Sequence, residues 1–159
     1  MTEAMLETKS AEQAALGAEE WRLADVKELI SLINYQAKSP ADWLTEQGFK
    51  NVQSSYYWSS TSYASNTSNA WFVYLDDGSV GADGKSYFNY VWPVRSGQVD
   101  PSVIEDKFVD NGDGTITDHK TGLIWMQKPV EQMTWQEAID YCKELNKKEI
   151  RHDCELEEF

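Results

Sequence analysis

The sequence predicts an α+β fold in which two helices pack on a twisted antiparallel sheet. Residues 25–35 and residues 134–145 each repeat apolar side chains at helical spacing. Residues 71–76 instead alternate as a strand does when one of its sides is buried. With 159 residues, the chain is long enough to form one domain around a single core.

The first helix is predicted over residues 25–35. Asp25 and Glu28 have the spacing of a capping box, in which each side chain accepts a hydrogen bond from the other residue's backbone N–H. The apolar face of this helix is formed by Val26, Leu29, Ile30 and Ile33.

The second helix begins with another capping box, formed by Thr134 and Glu137. Its apolar face holds Trp135, Ala138, Ile139, Cys142 and Leu145. Cys142 is therefore predicted to be a small buried hydrophobe. A disulfide between Cys142 and Cys154 is the alternative in an oxidising compartment.

Between the first helix and the strands, residues 36–55 are predicted to be irregular, with a short helical turn at 41–47. Residues 57–61 are predicted to form a strand that places Trp58 in the core. A polar loop follows at residues 63–69.

The stretch from Tyr56 to Arg95 mixes aromatic residues with Ser, Asn, Asp and Gly. Binding surfaces such as paratopes use this mixture, because aromatics supply rigid contact area and small polar residues supply adaptable hydrogen bonds. A β-rich domain with aromatic strands and polar turns is the alternative explanation.

In residues 71–76 the alternation directs Trp71, Val73 and Leu75 to the core. Phe72, Tyr74 and Asp76 then point to solvent, where exposed aromatics usually mark a contact site. Asp77-Gly78 is a hairpin-turn signal, and residues 79–89 are predicted to be a loop-rich continuation of the same surface.

Residues 108–127 are predicted to form strands around a turn at Asn111-Gly112 and Asp113-Gly114. The nearby carboxylates of Asp110, Asp113 and Asp118 suggest calcium, but Val109 occupies the first position of the EF-hand register. Hairpin chemistry is the favoured interpretation, and no cofactor is expected.

The net charge of −13 argues against nucleic-acid partners, which require clustered Lys and Arg. No apolar run approaches the ~20 residues that span a bilayer, so membrane insertion is not expected. The N-terminus also lacks the pattern of a signal peptide.

Several blocks of the chain resemble the Lcl C-terminal domain family. They are Trp21-Arg22-Leu23, Tyr57-Trp58-Ser59-Ser60, Trp71-x-Val73, Tyr90-Val91-x-Pro93-Val94-Arg95, Asp110-Asn111-Gly112-Asp113-Gly114, Thr121-Gly122-Leu123-x-Trp125 and Thr134-Trp135-x-Glu137-Ala138. This resemblance implies a C-type-lectin-like fold and a location at the cell surface. It also implies a link to the variable proteins of diversity-generating retroelements, in which mutated template adenines turn Asn codons into many others.

The pattern of the variable subgroup has a fixed frame and open slots. On this chain the frame is Trp71, Val73, Leu75, Gly78, Val80, Lys85 and Tyr90. The slots are Phe72, Tyr74, Asp76, Asp77, Ser79, Gly81, Ala82, Asp83, Gly84, Ser86, Tyr87, Phe88 and Asn89. Every slot residue is reachable from an Asn codon by adenine changes alone, a result that average residue usage would give about one time in twenty. An ordinary family member with a polar hairpin is the alternative.

The blocks follow an unusual order, because the Asp-Asn-Gly-Asp-Gly strands and the Thr-Trp-x-Glu-Ala helix normally precede the Trp-Arg-Leu helix. Either the domain is circularly permuted, or the chain is a slice through a tandem array of repeats. Permutation divides the chain into an acidic tail (1–20), one half of the domain (21–95), a linker (96–107), the other half (108–146) and a charged tail (147–159). The chain is expected to be a monomer or an oligomer with swapped halves.

An enzyme is not expected. Formylglycine-generating enzymes resemble this fold and use two cysteines, but Cys142 is predicted to be buried and Cys154 lies among acids, a poor setting for a thiolate. Neither His119 nor His152 stands in a recognisable catalytic or metal-binding motif.

The predicted function is ligand recognition by a protein-binding surface, with a glycan-binding adhesin and a non-binding fragment of a repeat protein as alternatives. Trp92 is included in this surface because it stands where the family usually has Arg. The predicted ligand-binding residues are Phe72, Tyr74, Asp76, Asp77, Ser79, Asp83, Ser86, Tyr87, Phe88, Asn89 and Trp92.

Overall fold

In the computed structural model, residues 20–97 and 108–157 are described, with side chains as far as residue 147. Three helices form in these residues: α1 (Val26–Ile30), α2 (Pro40–Glu46) and α3 (Trp135–Glu157). The strands are β1 (Arg22–Leu23), β2 (Tyr56–Ser62), β3 (Asn69–Tyr74), β4 (Val80–Gly84), β5 (Asn89–Val91), β6 (Pro93–Ser96), β7 (Phe108–Asp110), β8 (Thr115–Asp118), β9 (Leu123–Met126) and β10 (Val130–Met133). The α+β class is confirmed.

The strands form two five-stranded sheets, so the prediction of one antiparallel sheet is wrong. The first sheet has the order β1-β6-β9-β8-β7 and the second has the order β10-β5-β2-β3-β4. One pair, β2 with β5, is parallel. It arises because the β3–β4 hairpin occupies one edge of β2, and the returning chain then pairs with the other edge.

Helix α1 begins at the predicted capping box but is shorter than predicted. The Glu28 amide donates to Asp25 Oδ1 (2.8 Å), and the Asp25 amide donates to Glu28 Oε1 (2.9 Å). The helix ends at Ile30, where the Ser31 hydroxyl donates to the Glu28 carbonyl. Residues 31–35 consist of turns and irregular backbone.

Helix α2 confirms the helical turn predicted at 41–47. In α3, the Glu137 amide donates to Thr134 Oγ1 and the Thr134 amide donates to Glu137 Oε1, as the second capping box predicts. The backbone of α3 continues through Glu157, beyond the predicted domain boundary at residue 146.

Residues 79–89 are not a loop-rich continuation, because Val80–Gly84 form strand β4. All five of its residues pair in register with β3, from Val73 opposite Val80 to Asn69 opposite Gly84. The turn between the two strands is as predicted: Gly78 has a positive φ of 81°, and the Tyr74 amide donates to the Ser79 carbonyl.

The early and late parts of the chain share one interior. In the first sheet, β6 pairs with β9, and in the second sheet, β10 pairs with β5. The main core joins residues from 24–94 to four residues of the late part, Phe108, Ile116, Leu123 and Trp125. Residues 108–133 therefore complete both sheets.

A second, smaller core lies under α3. Ala138 and Cys142 of the helix pack with Trp58, Ala70 and Val91 of the second sheet. Trp58 and Cys142 are buried, as predicted, and Cys142 is a free thiol. The helix is also tied to the chain start, because Asn146 Oδ1 accepts a hydrogen bond from the Trp21 amide and Asn146 Nδ2 donates to the Trp21 carbonyl.

Some predicted features lie outside the described residues: most of the acidic tail, most of the linker, and the side chains of His152 and Cys154. Of the helices in the described part of the chain, none has the length and apolar character needed to cross a membrane.

Candidate functional site

Three aromatic side chains form a continuous row on one face of the second sheet. The ring of Tyr56 lies between Phe72 and Tyr74, with centroid distances of 4.5 Å and 4.6 Å. We call these three residues the aromatic row, and the sheet face that carries them the outer face. Tyr56 and Tyr74 are opposite each other in the β2–β3 ladder, as are Trp58 and Phe72, so all four side chains point to the same side.

Helix α3 covers only one end of the outer face. It packs over Trp58 and Ala70, and the Trp58 indole N–H donates to the Met133 carbonyl (2.9 Å). At the other end, Tyr56 is exposed and the rings of Phe72 and Tyr74 are half-exposed. The aromatic row is therefore the part of this face that no described helix covers.

Gly81 allows the Phe72 ring to lie flat against β4. A Cβ atom at position 81 would approach Phe72 Cζ to 2.7 Å, which is too close for the ring to remain in place. Gly81 and Phe72 are cross-strand partners, and both are slots. The residue at position 81 therefore determines where the Phe72 ring can lie.

Carboxylates lie in the turn between β3 and β4 and farther along β4, where Asp83 is opposite Ala70. Asp76 and Asp77 are exposed in the turn, and Asp83 is half-exposed on β4 beside the outer face. The charge of Asp76 raises the pKa of the Tyr74 hydroxyl, because a nearby anion disfavours the phenolate. Ser79 donates hydrogen bonds to Asp77 and lowers the pKa of that carboxyl. Ser79 is itself exposed.

Ser86, Tyr87 and Phe88 follow β4 in an exposed loop, and the side chains of Tyr87 and Phe88 are each 61% exposed. The Tyr87 ring lies where a Gly84 side chain would point, 3.3 Å from that Cβ position. Gly84 pairs with Asn69, and both belong to the opposite face from Phe72. The predicted single surface is thus divided between two faces of the β3–β4 hairpin.

Two predicted surface residues are buried instead. Trp92 is 0% exposed; its ring contacts Phe49, Tyr57 and Trp125, and its indole N–H donates to the Met126 carbonyl at 2.7 Å. The late part of the chain supplies two of these partners, so Trp92 faces the core. The prediction that Trp92 belongs to the ligand-binding surface was wrong.

Asn89 is buried because β10 pairs with β5 and places Met133 opposite it. Its side-chain amide donates to Asp83 Oδ2, at 3.4 Å. Asn89 therefore positions a carboxylate near the outer face and does not itself face solvent.

Sequence reasoning did not identify Tyr56 as a site residue. The alternation of β2 could have found it, because Tyr56 stands two residues before Trp58 and shares its face. That signal was weak without knowing that α3 covers Trp58 and leaves Tyr56 uncovered.

A groove of about 670 Å³ lies elsewhere, beside β10. Its walls include Tyr90 and Tyr141, and its polar lining includes Asn51, Gln53 and Gln127. Gln127 is held in place because its amide donates to the Gly48 carbonyl and to Asp110 Oδ2.

The remaining predicted candidates take part in local hydrogen bonds or are buried. Asp110 and Asp113 accept hydrogen bonds from Gly112 and Thr115 within the hairpin, and Asp118 accepts one from the Lys120 amide. Among the described residues, no three His, Cys, Asp or Glu side chains are grouped as metal ligands. Burial raises the pKa of the Cys142 thiol to about 12, which opposes thiolate chemistry.

Comparison with known proteins gives a family match. No curated protein and no solved structure matches the chain. The sequence profile described as the Lcl C-terminal domain matches residues 1–95, which is more than half of the 159 residues. The resembling blocks at residues 110–138 lie outside the matched region. On this match, the chain belongs to the Lcl C-terminal domain family.

Proposed function

We propose that this chain is a recognition domain that binds a protein partner through the aromatic row and the carboxylates around it. The observation that carries the proposal is the stacking of Tyr56 on Phe72 and Tyr74, at an end of the outer face that α3 leaves uncovered. Adjacent exposed aromatics supply the desolvated contact area that dominates binding energy at protein interfaces. The carboxylates of Asp76, Asp77 and Asp83 favour a basic partner.

Diversification of this surface is part of the proposal. Every slot residue except Asn89 is exposed or half-exposed. Of the frame residues, Val73, Leu75 and Gly78 are buried, whereas the other four are half-exposed or exposed: Trp71, Val80, Lys85 and Tyr90. Slots that face solvent are what a variable binding protein requires, because they can change without altering the core. A C-type-lectin-like fold, a permuted order of its two halves and a location at the cell surface belong to the same proposal.

The shared interior of the two halves supports the permuted domain over a slice through a tandem array. In an array, residues 108–133 would complete the next repeat. The strands that pair with β5 and β6 would then come from the preceding repeat. Here they come from the same chain.

The binding role can be tested with a phage-displayed library of random peptides, panned on the immobilised protein. Enriched clones should bind at least tenfold more weakly to the Tyr56→Ala/Phe72→Ala double variant, which corresponds to about 1.4 kcal/mol. Tyr141→Ala is the matched control, because Tyr141 is a half-exposed aromatic that lines the groove beside β10 and is not part of the aromatic row. Equal binding to all three proteins, each shown to be folded by its melting curve, would contradict the proposal.

The diversification can be tested in the DNA beside the gene. A near-copy of the coding stretch for residues 71–95, with adenines at the slot codons and a reverse transcriptase gene nearby, is expected. If the coding stretch has no such copy nearby, the chain is an ordinary family member and the diversification proposal is wrong.

Glycan binding is a second candidate, and the groove favours it. Tyr90 and Tyr141 offer ring faces to a sugar, and Asn51, Gln53 and Gln127 make part of the groove lining polar. A glycan-array signal that is lost in Tyr141→Ala and Gln53→Ala, but kept in Tyr56→Ala/Phe72→Ala, would assign this function to the groove.

A further inference from the structure

The proposed binding surface ends at a sheet edge that is open for pairing. Among the described residues, the two sheets have four edge strands: β1 with two residues, β7 with three, β10 with four and β4 with five. The pairing of β10 is interrupted by a register shift. Strand β4 is the longest of the four and is regular at every position.

The backbone groups on the open side of β4 can be assigned from its ladder. The Tyr74 amide donates to the Ser79 carbonyl, and the Lys85 amide donates to the Ser68 carbonyl. In an antiparallel pair the bonded residues alternate, so Ser79, Gly81, Asp83 and Lys85 face β3. Val80, Ala82 and Gly84 therefore turn their N–H and C=O groups away from the sheet. The Gly84 carbonyl accepts a hydrogen bond from the Tyr87 amide (2.9 Å). Five of the six N–H and C=O groups of these three residues are therefore left for a new strand.

Strand β4 has little of the protection that edge strands usually carry. Its sequence is Val-Gly-Ala-Asp-Gly, without Pro, Lys or a bulge, and Val80 is exposed. Asp83 is its one charged side chain. Exposed edges of this kind are the sites at which extended peptides add a strand to a sheet.

We infer that the partner binds as an extended peptide that adds a sixth strand to the second sheet at β4, with basic and apolar side chains in alternation. The inference rests on the proposed function and specifies its binding mode. On the outer face, the added strand places alternate side chains beside Phe72 and Asp83, where a Lys or Arg gains a carboxylate and an aromatic ring face. On the other face, the intervening side chains lie beside Val80, Ala82 and Tyr87, where apolar groups are favoured.

A second copy of the chain is a poorer occupant of this edge. Each copy carries a net charge of −13, and pairing two β4 strands would bring two sets of Asp76, Asp77 and Asp83 together. Like charges that face each other at an interface oppose association. The charge balance thus favours a basic peptide.

The test uses the full chain and a fluorescein-labelled octapeptide that alternates Lys and Val, with binding measured by fluorescence anisotropy. A peptide with Glu in place of every Lys should bind at least tenfold more weakly. Two further peptides are N-methylated, one at every Val and one at every Lys. In an added strand, either the Val amides or the Lys amides face β4, but not both. One methylated peptide should therefore lose binding and the other should keep it. Loss of binding on methylation of the valines indicates that the peptide adds antiparallel to β4. Equal binding of both methylated peptides would overturn the inference.

Ala82→Pro is the matching change in the protein. It removes an N–H that faces away from β3, so the hairpin keeps its own hydrogen bonds, and Pro is tolerated at such edge positions. Binding of the Lys/Val octapeptide should fall at least tenfold, with the melting temperature little changed. If this variant does not fold, the methylated peptides decide the question with the unaltered protein.

The outcomes separate the two proposals. If Tyr56→Ala/Phe72→Ala weakens binding while both methylated peptides bind normally, the aromatic row is a binding surface and strand addition is wrong. If sedimentation shows a dimer of the unaltered protein that Ala82→Pro dissociates, the edge belongs to a second copy, which also overturns the inference.

Discussion

At the scale of single residues, Trp92 shows how burial separates structural from binding roles. Its ring is enclosed by Phe49, Tyr57 and Trp125, whereas the Phe88 ring is 61% exposed. Trp92→Ala should lower the free energy of unfolding by about 3–5 kcal/mol, because it leaves a cavity in the main core. Phe88→Ala should change it by about 0.5 kcal/mol or less. Urea denaturation of the two variants measures both; similar losses would contradict the assigned burial.

Two buried side chains should make the protein less stable at alkaline pH. Burial raises the pKa of the Cys142 thiol to about 12 from its usual 9.0, and burial also raises the pKa of Tyr57 above its usual 10.0. A group whose pKa is raised in the folded state stabilises that state fully below its unfolded pKa. Stability should therefore be constant up to about pH 9 and decrease as the pH rises towards 12. Melting temperatures between pH 7 and pH 11 test this, and a rise of stability in this range would contradict it.

The same burial protects the Cys142 thiol from reagents. In a Cys154→Ser variant, where Cys142 is the remaining cysteine, Ellman's reagent at pH 8 should react far more slowly with the folded protein than with the protein in urea. Equal rates would show that the thiol is accessible.

At the scale of elements, the hairpin between β3 and β4 depends on Gly78. Its φ of 81° strains any residue with a Cβ, at a cost of about 1–2 kcal/mol. A Cβ would also approach Ile33 Cγ2 to 2.8 Å. Gly112 is the matched control, because its φ is 78° and nothing lies within 4 Å of its Cβ position. Gly78→Ala should therefore destabilise the protein more than Gly112→Ala, as measured by thermal melting; equal effects would mean that contact with Ile33 is unimportant.

Elements that depend on neighbouring residues could be predicted from the sequence. The capping boxes of α1 and α3 and the turn at Asp77-Gly78 all form where the residues predicted them. The strand at 80–84 was missed, because its small residues carry no apolar alternation and, among the described strands, it pairs with β3 alone. The edge position, which makes β4 of interest for binding, is also the reason why its sequence looks like a loop.

At the scale of the whole molecule, the domain requires both parts of the chain. The family match ends at Arg95, yet the main core includes Phe108, Ile116, Leu123 and Trp125. A fragment of residues 1–95 should therefore fail to unfold cooperatively, since β5 and β6 lose their partners and Trp92 loses its cover. Calorimetry of the fragment tests this expectation. A cooperative transition like that of the full chain would show that the first part folds alone.

A mixture of fragments 1–97 and 98–159 should recover part of the transition, because the late part supplies two whole edges of the fold. The control is an equal amount of the 98–159 fragment alone. Recovery would also show that two chains can exchange halves, as an oligomer with swapped halves requires.

The sequence by itself determined the local features: where helices begin, where the chain turns, and which residues of β3 alternate. The tertiary structure decided which of the resulting faces are covered. Helix α3 buries Trp58 and leaves Tyr56 exposed, and the late strands bury Trp92 and Asn89. The physical reason is that caps and turns depend on residues a few positions apart, whereas exposure depends on segments as distant as Trp21 and Asn146, which only the folded chain brings together.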